Sequence, residues 1–519
     1  MTMRKYLYTA VFISGLTSLA IEMASSRLLG AVFGTSNLVW ASIIGLILIY
    51  LTVGNFLGSF WADRYATPRT FFLVLIWAAV AIGIVPLISR PVLRMAADAF
   101  DQLALGVLFG SFTAVLILLF VPITLLGMAS PFAIRLAVQD AKDVGRISGQ
   151  IYAISTLGSF VGTFLPSLLT IPLIGTYRSF LTFSAILLVM GLIGLWKSSG
   201  VKAALPYLLV FPALIAVSIW GLPGGDKATP GLVYETESAY NYIQVIEREQ
   251  FHYLRLNEGQ GVHSIYHPTV SNYQGPWEQV VVAPFFNPAN YDPAQVQRIA
   301  IVGLAAGTTA RQATQVYGPV PIDGYEIDPK IVEAGRKYFD MNEKNLNVIV
   351  QDGRWGLEHS PYHYQIISVD AYQPPYIPFR LTTREFFQIV YDHLAADGVM
   401  VINVGRSPSD RSLINSLSST ILTVFPSVHV IDIPGSFNSI IFASAQPTQE
   451  TDLFKNYLYL KNSPGTPALL LESMEITLSS LQPAPQVGQI FSDDHAPIEW
   501  ITNNMILSFL FSDDMENMQ

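Results

Sequence analysis

The sequence predicts a two-part molecule. A multi-pass α-helical membrane domain comes first, followed by a small β-sheet subdomain and an α/β domain with an open, largely parallel sheet. Three observations predict it. Hydrophobic residues make up 51% of the 519 residues and charged ones only 13%, with a mean hydropathy of +0.41. The apolar excess is local, concentrated in residues 1–225 as long runs with short breaks. After residue 298, apolar strands that end in a glycine or an acid alternate with helical stretches, the mark of strand–helix–strand units.

A spanning helix needs roughly 20 mostly apolar residues. On that length the first 225 residues hold about seven spans, near 7–26, 38–60, 70–89, 103–126, 149–172, 178–196 and 204–221. Apolar runs that recur through residue 221 are not accounted for by a removable signal peptide. The small-residue pairs Gly54/Gly58, Gly106/Gly110 and Gly158/Gly162 suit close helix packing in a bilayer. Glu22, at the end of the first span, is expected to pair with Arg27 or another basic group nearby, because an ionisable group at membrane depth is costly alone.

Charge divides the chain the same way. Residues 1–225 hold 13 Lys+Arg and 6 Asp+Glu, a net +7; the remainder holds 16 and 32, a net −16. An acidic soluble half steers cations toward it and disfavours nucleic acid. Between the spans, nine Lys/Arg lie on the amino-terminal side and four on the other, which puts the amino terminus in the cytoplasm of an inner or plasma membrane. Seven spans would then leave the acidic half outside, away from any cytoplasmic nucleotide-type cosubstrate. One re-entrant segment would remove the conflict, and the stretch around Pro122, Gly127 and Pro131 is the place for it.

The soluble half begins after the turn-rich linker at Gly221–Gly225. Residues 231–270 alternate as strands and define a small antiparallel subdomain over 226–275. The α/β domain is assigned to 276–450. It has helices at 277–286, 308–317, 329–339, 383–394 and 409–424, a strand at 400–404, and closing strands at 428–433 and 439–444. Residues 451–519 are less periodic and form a carboxyl-terminal extension, with SDDHAPIEW as a loop near the mouth of the site.

Strand ends carry the chemistry. RIAIVGLAAG breaks at Gly303, and Gly307 lets a backbone approach a ligand. PIDGYEIDPK ends at Glu326 and Asp328, the place for a carboxylate that binds ribose hydroxyls. NLNVIVQDG ends at Asp352-Gly353, where an acid can meet an adenine edge, and YQIISVDAYQPP places Asp370 at a fourth end. Ligands of open α/β sheets sit at these carboxyl ends, so the set points to a nucleoside. With no cysteine, disulfides, thiolate metal sites and a cysteine nucleophile are excluded. The HxxxH pairs His263/His267 and His359/His363 fall on a strand end and beside Pro361, so they are read as pocket or surface histidines and no metal is expected.

These segments resemble the spermidine synthase family of polyamine aminopropyltransferases over roughly 231–445, in the branch fused behind a multi-span amino-terminal domain. The resemblance implies a methyltransferase-type Rossmann-like fold. It implies Glu326 and Asp328 at the ribose, Asp352 and Gly353 at the adenine, and Asp370 as the catalytic carboxylate. SAYNYIQV is similar to the family's opening strand and places Tyr240 at the substrate; His263, Gln373 and Tyr376 complete the substrate side. The implied cosubstrate is decarboxylated S-adenosylmethionine or S-adenosylmethionine, and the implied acceptor a small cationic amine. A homo-oligomer or larger membrane assembly is compatible with it.

Three departures bear on activity. GLAAGT stands where the family has Gly-Gly-Gly-Asp-Gly-Gly, so Ala306 replaces the acid that faces the aminopropyl nitrogen. Gln373 replaces the second Asp of the catalytic loop, and Trp277-Glu278-Gln279 replaces Tyr-His-Glu. Three functions therefore stay open. They are aminopropyl transfer, methyl transfer from S-adenosylmethionine, and a non-catalytic structural or partner-binding membrane subunit.

Overall fold

The computed structural model describes residues 3–33, 37–100, 106–138, 140–220, 229–238, 240–257, 261–372, 376–408 and 410–510. The chain forms two compact units, Met1–Thr229 and Pro230–Gln519. The linker at 221–225 and Gln373 lie outside the described residues.

The first unit is helical. Among the described residues six helices are long and apolar enough to cross a membrane: Arg4–Gly30, Val39–Arg64, Pro68–Leu93, Gly110–Ala137, Val144–Ile174 and Thr176–Ser199. The seventh expected span differs. Its apolar stretch is divided into short pieces, Val201–Ala204, Leu205–Leu209 and Val210–Trp220, with Pro206 entering the middle one. Proline removes a backbone donor and crowds the preceding turn, which interrupts a continuous helix.

Glycine sets the helix contacts in this unit. A Cβ on Gly158 would lie 2.1 Å from the Phe12 carbonyl oxygen, and one on Gly162 2.1 Å from that of Leu16. The first and fifth spans thus touch backbone to backbone. A Cβ on Gly54 would lie 2.3 Å from the Thr124 carbonyl oxygen, and one on Gly58 2.7 Å from the Met128 Cα.

The second unit carries two sheets. The small one is antiparallel, in the order β1 (Leu232–Glu237), β2 (Tyr242–Arg248), β3 (Phe251–Leu256), β4 (Val262–Tyr266). Its β2–β3 hairpin turns through Glu249 and Gln250, both at positive φ (52° and 69°), as a two-residue turn matched to strand twist requires. Ile243, Val245, Leu254 and Leu256 of this sheet share a core with Ile331, Ala334 and Phe339.

The large sheet comprises β5 (Ile299–Val302), β6 (Ile322–Glu326), β7 (Leu346–Val350), β8 (Tyr364–Val369), β9 (Leu394–Gly405), β10 (Ser427–Asp432) and β11 (Asn438–Ser444). The order is β7-β6-β5-β8-β9-β11-β10, all parallel except β11, which runs antiparallel to both neighbours. This is the methyltransferase-type Rossmann-like arrangement. Its central strands are buried on both faces, and alternate residues enter two different cores. Ile299, Ile301, Ile366, Val399 and Val401 face one; Ala300, Val302, Ile367, Met400 and Ile402 face the other.

Element limits moved in three places. The segment at 277–286 is a 3-10 helix, Glu278–Phe286, with Pro284 inside. The strand expected at 400–404 is the twelve-residue β9, which pairs with β8 at Leu394 and from Val399 to Ile402 and with β11 from Val399 to Gly405. The extension is more regular than its sequence suggests, forming helices Glu450–Lys461, Ala468–Ser479 and Ile498–Leu510. Leu453, Leu460, Leu470 and Met474 sit in the same core as Val281 and Phe285, so a division at 450 separates no core.

Candidate functional site

The sheet changes winding direction at β5. The chain goes outward through β6 and β7, then returns to β8 on the other side, leaving a crevice at the carboxyl ends of β5 and β8. Gly303 and Asp370 meet there. The Asp370 amide donates to the Val302 carbonyl at 2.9 Å. Gly303 has φ +91°, and a Cβ on it would lie 2.4 Å from the Asp370 carbonyl oxygen. Only glycine fits, because φ is positive and the Asp370–Ala371 backbone lies where a Cβ would be.

The loop after β5 is braced by its own surroundings. Gly303 and Leu304 amides both donate to the Tyr325 carbonyl at 3.0 Å, and Gly307 to Leu304 at 3.1 Å. The Ala305 amide donates to Glu326 Oε2 at 2.9 Å and the Ala306 amide to Ser264 Oγ at 2.9 Å. Every amide from 303 to 307 therefore has an intramolecular acceptor. A loop that cradles a diphosphate needs free N–H groups aimed at the ligand; this one presents none, which fits a nucleoside without a diphosphate. Ala305 holds φ +49°, an uncommon state for a residue with a Cβ, kept by these bonds.

Gly307 (φ +84°) opens the helix Thr308–Tyr317, and a Cβ there would meet Met341 Cγ at 2.5 Å. Thr308 Oγ1 bridges the Ile265 amide and carbonyl, both at 2.9 Å, so β4 of the small sheet grips the start of this helix.

Glu326, at the end of β6, is buried and accepts from Ala305 and, at 3.0 Å, from the Asp328 amide. Burial pushes its carboxyl up to about 7, against the pull of those amides. Asp328 is fully buried and fully committed. It caps the helix Pro329–Tyr338 through the Lys330 amide (3.0 Å), and its other oxygen accepts from Ser238 Oγ (2.5 Å) and Asn241 Nδ2 (3.0 Å). In this geometry Asp328 joins the small sheet to the ribose turn rather than offering a free oxygen to a ligand. Asp352 is exposed and caps the short helix Gly353–Glu358, with Oδ1 accepting from the Trp355 amide at 2.9 Å. A Cβ on Gly353 would meet Val302 Cγ1 at 2.6 Å.

Asp370 accepts from Asn403 Nδ2 at 3.0 Å. Burial raises its carboxyl to about 6, and the Asn403 bond opposes that. Asn403 is buried, and its Oδ1 has no partner among the described residues. Tyr372 supports the pair, its hydroxyl accepting from the Gly405 amide (2.7 Å) and donating to the Asn403 carbonyl (3.1 Å). Asn403 was not singled out from sequence; one amide side chain at the end of the apolar run MVINV was the available signal.

The expected substrate-side residues are not gathered equally. Tyr376 is buried, and its hydroxyl donates to Asn503 Oδ1 at 2.6 Å, so it is spent on the last helix. Tyr240 is exposed, next to Ser238 and Asn241 at the ribose turn. His263 lies on β4, one residue from Ser264; desolvation lowers its imidazole to about 4, and its Nε2 has no partner among the described residues. Although His263 keeps some exposed surface, the ring nitrogen itself is shielded. Glu278, where the family's motif differs, is buried with its carboxyl raised by desolvation. It holds the Tyr273 and Gly275 amides and Gln312 Nε2 at 2.7, 2.9 and 2.7 Å, a structural knot. His267 Nδ1 accepts from the Thr269 and Val270 amides, and His359 stacks on Trp355 with ring centroids 4.0 Å apart.

The chain is similar to known proteins over its carboxyl-terminal part. Residues 287–454 match the spermine/spermidine synthase domain. A probable polyamine aminopropyl transferase of Bifidobacterium longum is 32% identical over 284 residues, 52% of this chain and 61% of that protein. A polyamine aminopropyltransferase of Vibrio vulnificus is 27% identical over 235 residues, 42% of this chain and 74% of that protein. The chain thus spans about three fifths of the first relative's length. The crystal structure of spermidine synthase from Thermotoga maritima is 19% identical, covering 49% of this chain and 84% of that one, with a TM-score of 0.40.

Proposed function

We propose that this chain, whose carboxyl-terminal unit carries a spermine/spermidine synthase domain, is a membrane-embedded aminopropyltransferase. Decarboxylated S-adenosylmethionine would be the donor and a small cationic amine the acceptor. The observation that carries the proposal is Asp370, a desolvated carboxylate set by Asn403 against Gly303 at the sheet's switch point.

The reaction asks little more of the protein than placement. The acceptor nitrogen, once neutral, attacks the carbon beside the sulfonium. A C–N bond forms, the C–S bond breaks, and its electron pair stays on sulfur, releasing 5′-methylthioadenosine. The nitrogen's proton passes to Asp370, whose value near 6 suits a base working close to neutrality. A thioether leaves without acid help, so orientation supplies most of the rate. Glu326 would take the ribose hydroxyls; two O–H donors there would favour its charged form, which burial alone disfavours. Asp352 would accept from the adenine amino group with the oxygen its cap leaves over.

A six-span count supports a cytoplasmic site. With six crossings the chain returns to the Lys/Arg-rich face after Ser199, where a nucleotide-type cosubstrate is available.

One observation favours methyl transfer as a second reading. Ala306 is fully buried in the core shared with Ile331 and Phe339, so this position offers no carboxylate to an aminopropyl ammonium. Calorimetric titration of the detergent-purified protein separates the two. Tighter binding of decarboxylated S-adenosylmethionine, with 5′-methylthioadenosine and a lengthened amine as products, is expected. Preference for S-adenosylmethionine with S-adenosylhomocysteine as product would replace the proposal with methyl transfer. Binding of neither would leave a structural membrane subunit.

A further inference from the structure

Residues 480–510 lie beyond the stretch that matches the synthase domain, yet they reach its site. After a bridge from Leu481 to Ile431, the chain runs extended over the helix Ser412–Ile421. That helix reads SLINSLSSTI, and its polar side chains receive the strap's amides. Gln486 donates to Asn415 Oδ1 (3.1 Å), Gly488 to Ser419 Oγ (2.8 Å), Gln489 to Ser416 Oγ (3.3 Å) and Phe491 to Thr420 Oγ1 (2.9 Å). A Cβ on Gly488 would lie 2.4 Å from the Ser416 nitrogen, so the strap lies flat on the helix backbone. Phe491 is fully buried and locks the strap into the core that holds Leu417 and Ile421.

The strap ends on Asp493. Its carboxylate accepts from Arg354 NH1 and NH2 (2.7 and 2.6 Å) and from Thr383 Oγ1 (2.7 Å), and its amide donates to Glu385 Oε2 (3.0 Å). Arg354 follows the Asp352-Gly353 turn, and its NH1 also donates to the Arg380 carbonyl at 2.9 Å. One carboxylate therefore ties the nucleoside turn to the arm 376–383 that follows Asp370. Ten residues on, Asn503 receives the Tyr376 hydroxyl at the other end of that arm. Both ends of the arm are held from the same carboxyl-terminal segment.

We propose that this segment is a clamp on the acceptor side of the site, with Asp493 and Asn503 as positioning residues that hold the arm 376–383 against the nucleoside turn. The role in turnover rests on the aminopropyltransferase reading; the clamp itself does not.

The test compares Asp493→Asn, Asn503→Ala and Asp493→Glu in the full-length protein, reading backbone hydrogen exchange and steady-state kinetics together. Exchange at 379–383 should speed up in Asp493→Asn and Asn503→Ala, stay unchanged at 299–302 in β5, and be restored toward wild type in Asp493→Glu. Acceptor KM should rise about five- to tenfold with kcat nearly kept, the size of one partly exposed charge-assisted hydrogen bond. Unchanged exchange at 379–383 would overturn the clamp whatever the activity. Faster exchange with unchanged KM would overturn the positioning role. A wild-type protein that turns over no amine, but whose variants still loosen 379–383, would sink the aminopropyltransferase reading and leave the clamp standing.

Discussion

On the proposed function, the nucleoside side and the acceptor side of the crevice would be built on different plans. On the nucleoside side Glu326 is held by the Asp328 and Ala305 amides and Asp352 by that of Trp355, while Asp328 alone reaches far along the chain, to Ser238 and Asn241. On the acceptor side each group is fixed by a partner far along the chain. Asp370 depends on Asn403, Tyr376 on Asn503, and Thr383 on Asp493. Short-range turns preserve a ligand site wherever the strands form. Long-range anchors would let the acceptor side be rebuilt without touching the nucleoside side.

If that division holds, the largest effect comes from the acceptor side alone. Asp370→Asn keeps the shape and the Asn403 contact but removes the proton acceptor. Turnover should fall by about 10²–10⁴-fold, with the dissociation constant of 5′-methylthioadenosine nearly unchanged. In the wild type kcat/KM should drop on the acid side as pH falls through about 6, since a raised carboxyl is protonated, and inactive as a base, below that value. A parallel loss of nucleoside binding would show that the two sides are not separable.

The reverse experiment is smaller. Glu326→Gln leaves one acceptor oxygen for two amides, Ala305 and Asp328, and removes the charge that ribose hydroxyls would meet. Nucleoside binding should weaken by about 1.5–3 kcal/mol, the range for a hydrogen bond to a charged group, while acceptor KM stays close to wild type. Calorimetry against amine-saturation kinetics reads the two separately. Unchanged nucleoside affinity would remove Glu326 from the ribose.

The same division explains what the sequence disclosed. Strands β5 to β8 and their terminal acids were legible because each run is apolar, short and closed by Gly or an acid, a pattern that needs no distant partner. The helix Thr308–Tyr317 was legible for the same reason. The role of Asp328 was hidden, because capping and its bonds to Ser238 and Asn241 look identical to a ligand-binding acid in one dimension. Asn403, Asp493 and Asn503 were hidden because their meaning lies in partners 33, 110 and 127 residues away. In the helical unit, Gly54, Gly58, Gly158 and Gly162 were legible as contacts, since a bilayer offers few other ways to bring backbones close. The stretch of the seventh expected span is divided into short helices among the described residues, with Pro206 where hydropathy alone reads as continuous.

Asp352 gives the smallest and finest test, because it does two things in one turn. Its Oδ1 caps the helix Gly353–Glu358, and its charge faces the solvent-open edge where an adenine amino group would arrive. Asp352→Ala removes both, and the lost cap alone should cost about 1 kcal/mol of stability. Asp352→Ser keeps a capping oxygen and removes only the charge, so its melting temperature should stay near wild type. If the adenine contact is real, both variants should weaken 5′-methylthioadenosine by a similar few-fold factor, about 0.5–1 kcal/mol for one hydrogen bond at an exposed position. If binding weakens only in the alanine variant, Asp352 acts through the helix it caps. The adenine edge would then be read by backbone, and the local plan of the nucleoside side would be more complete than its side chains indicate.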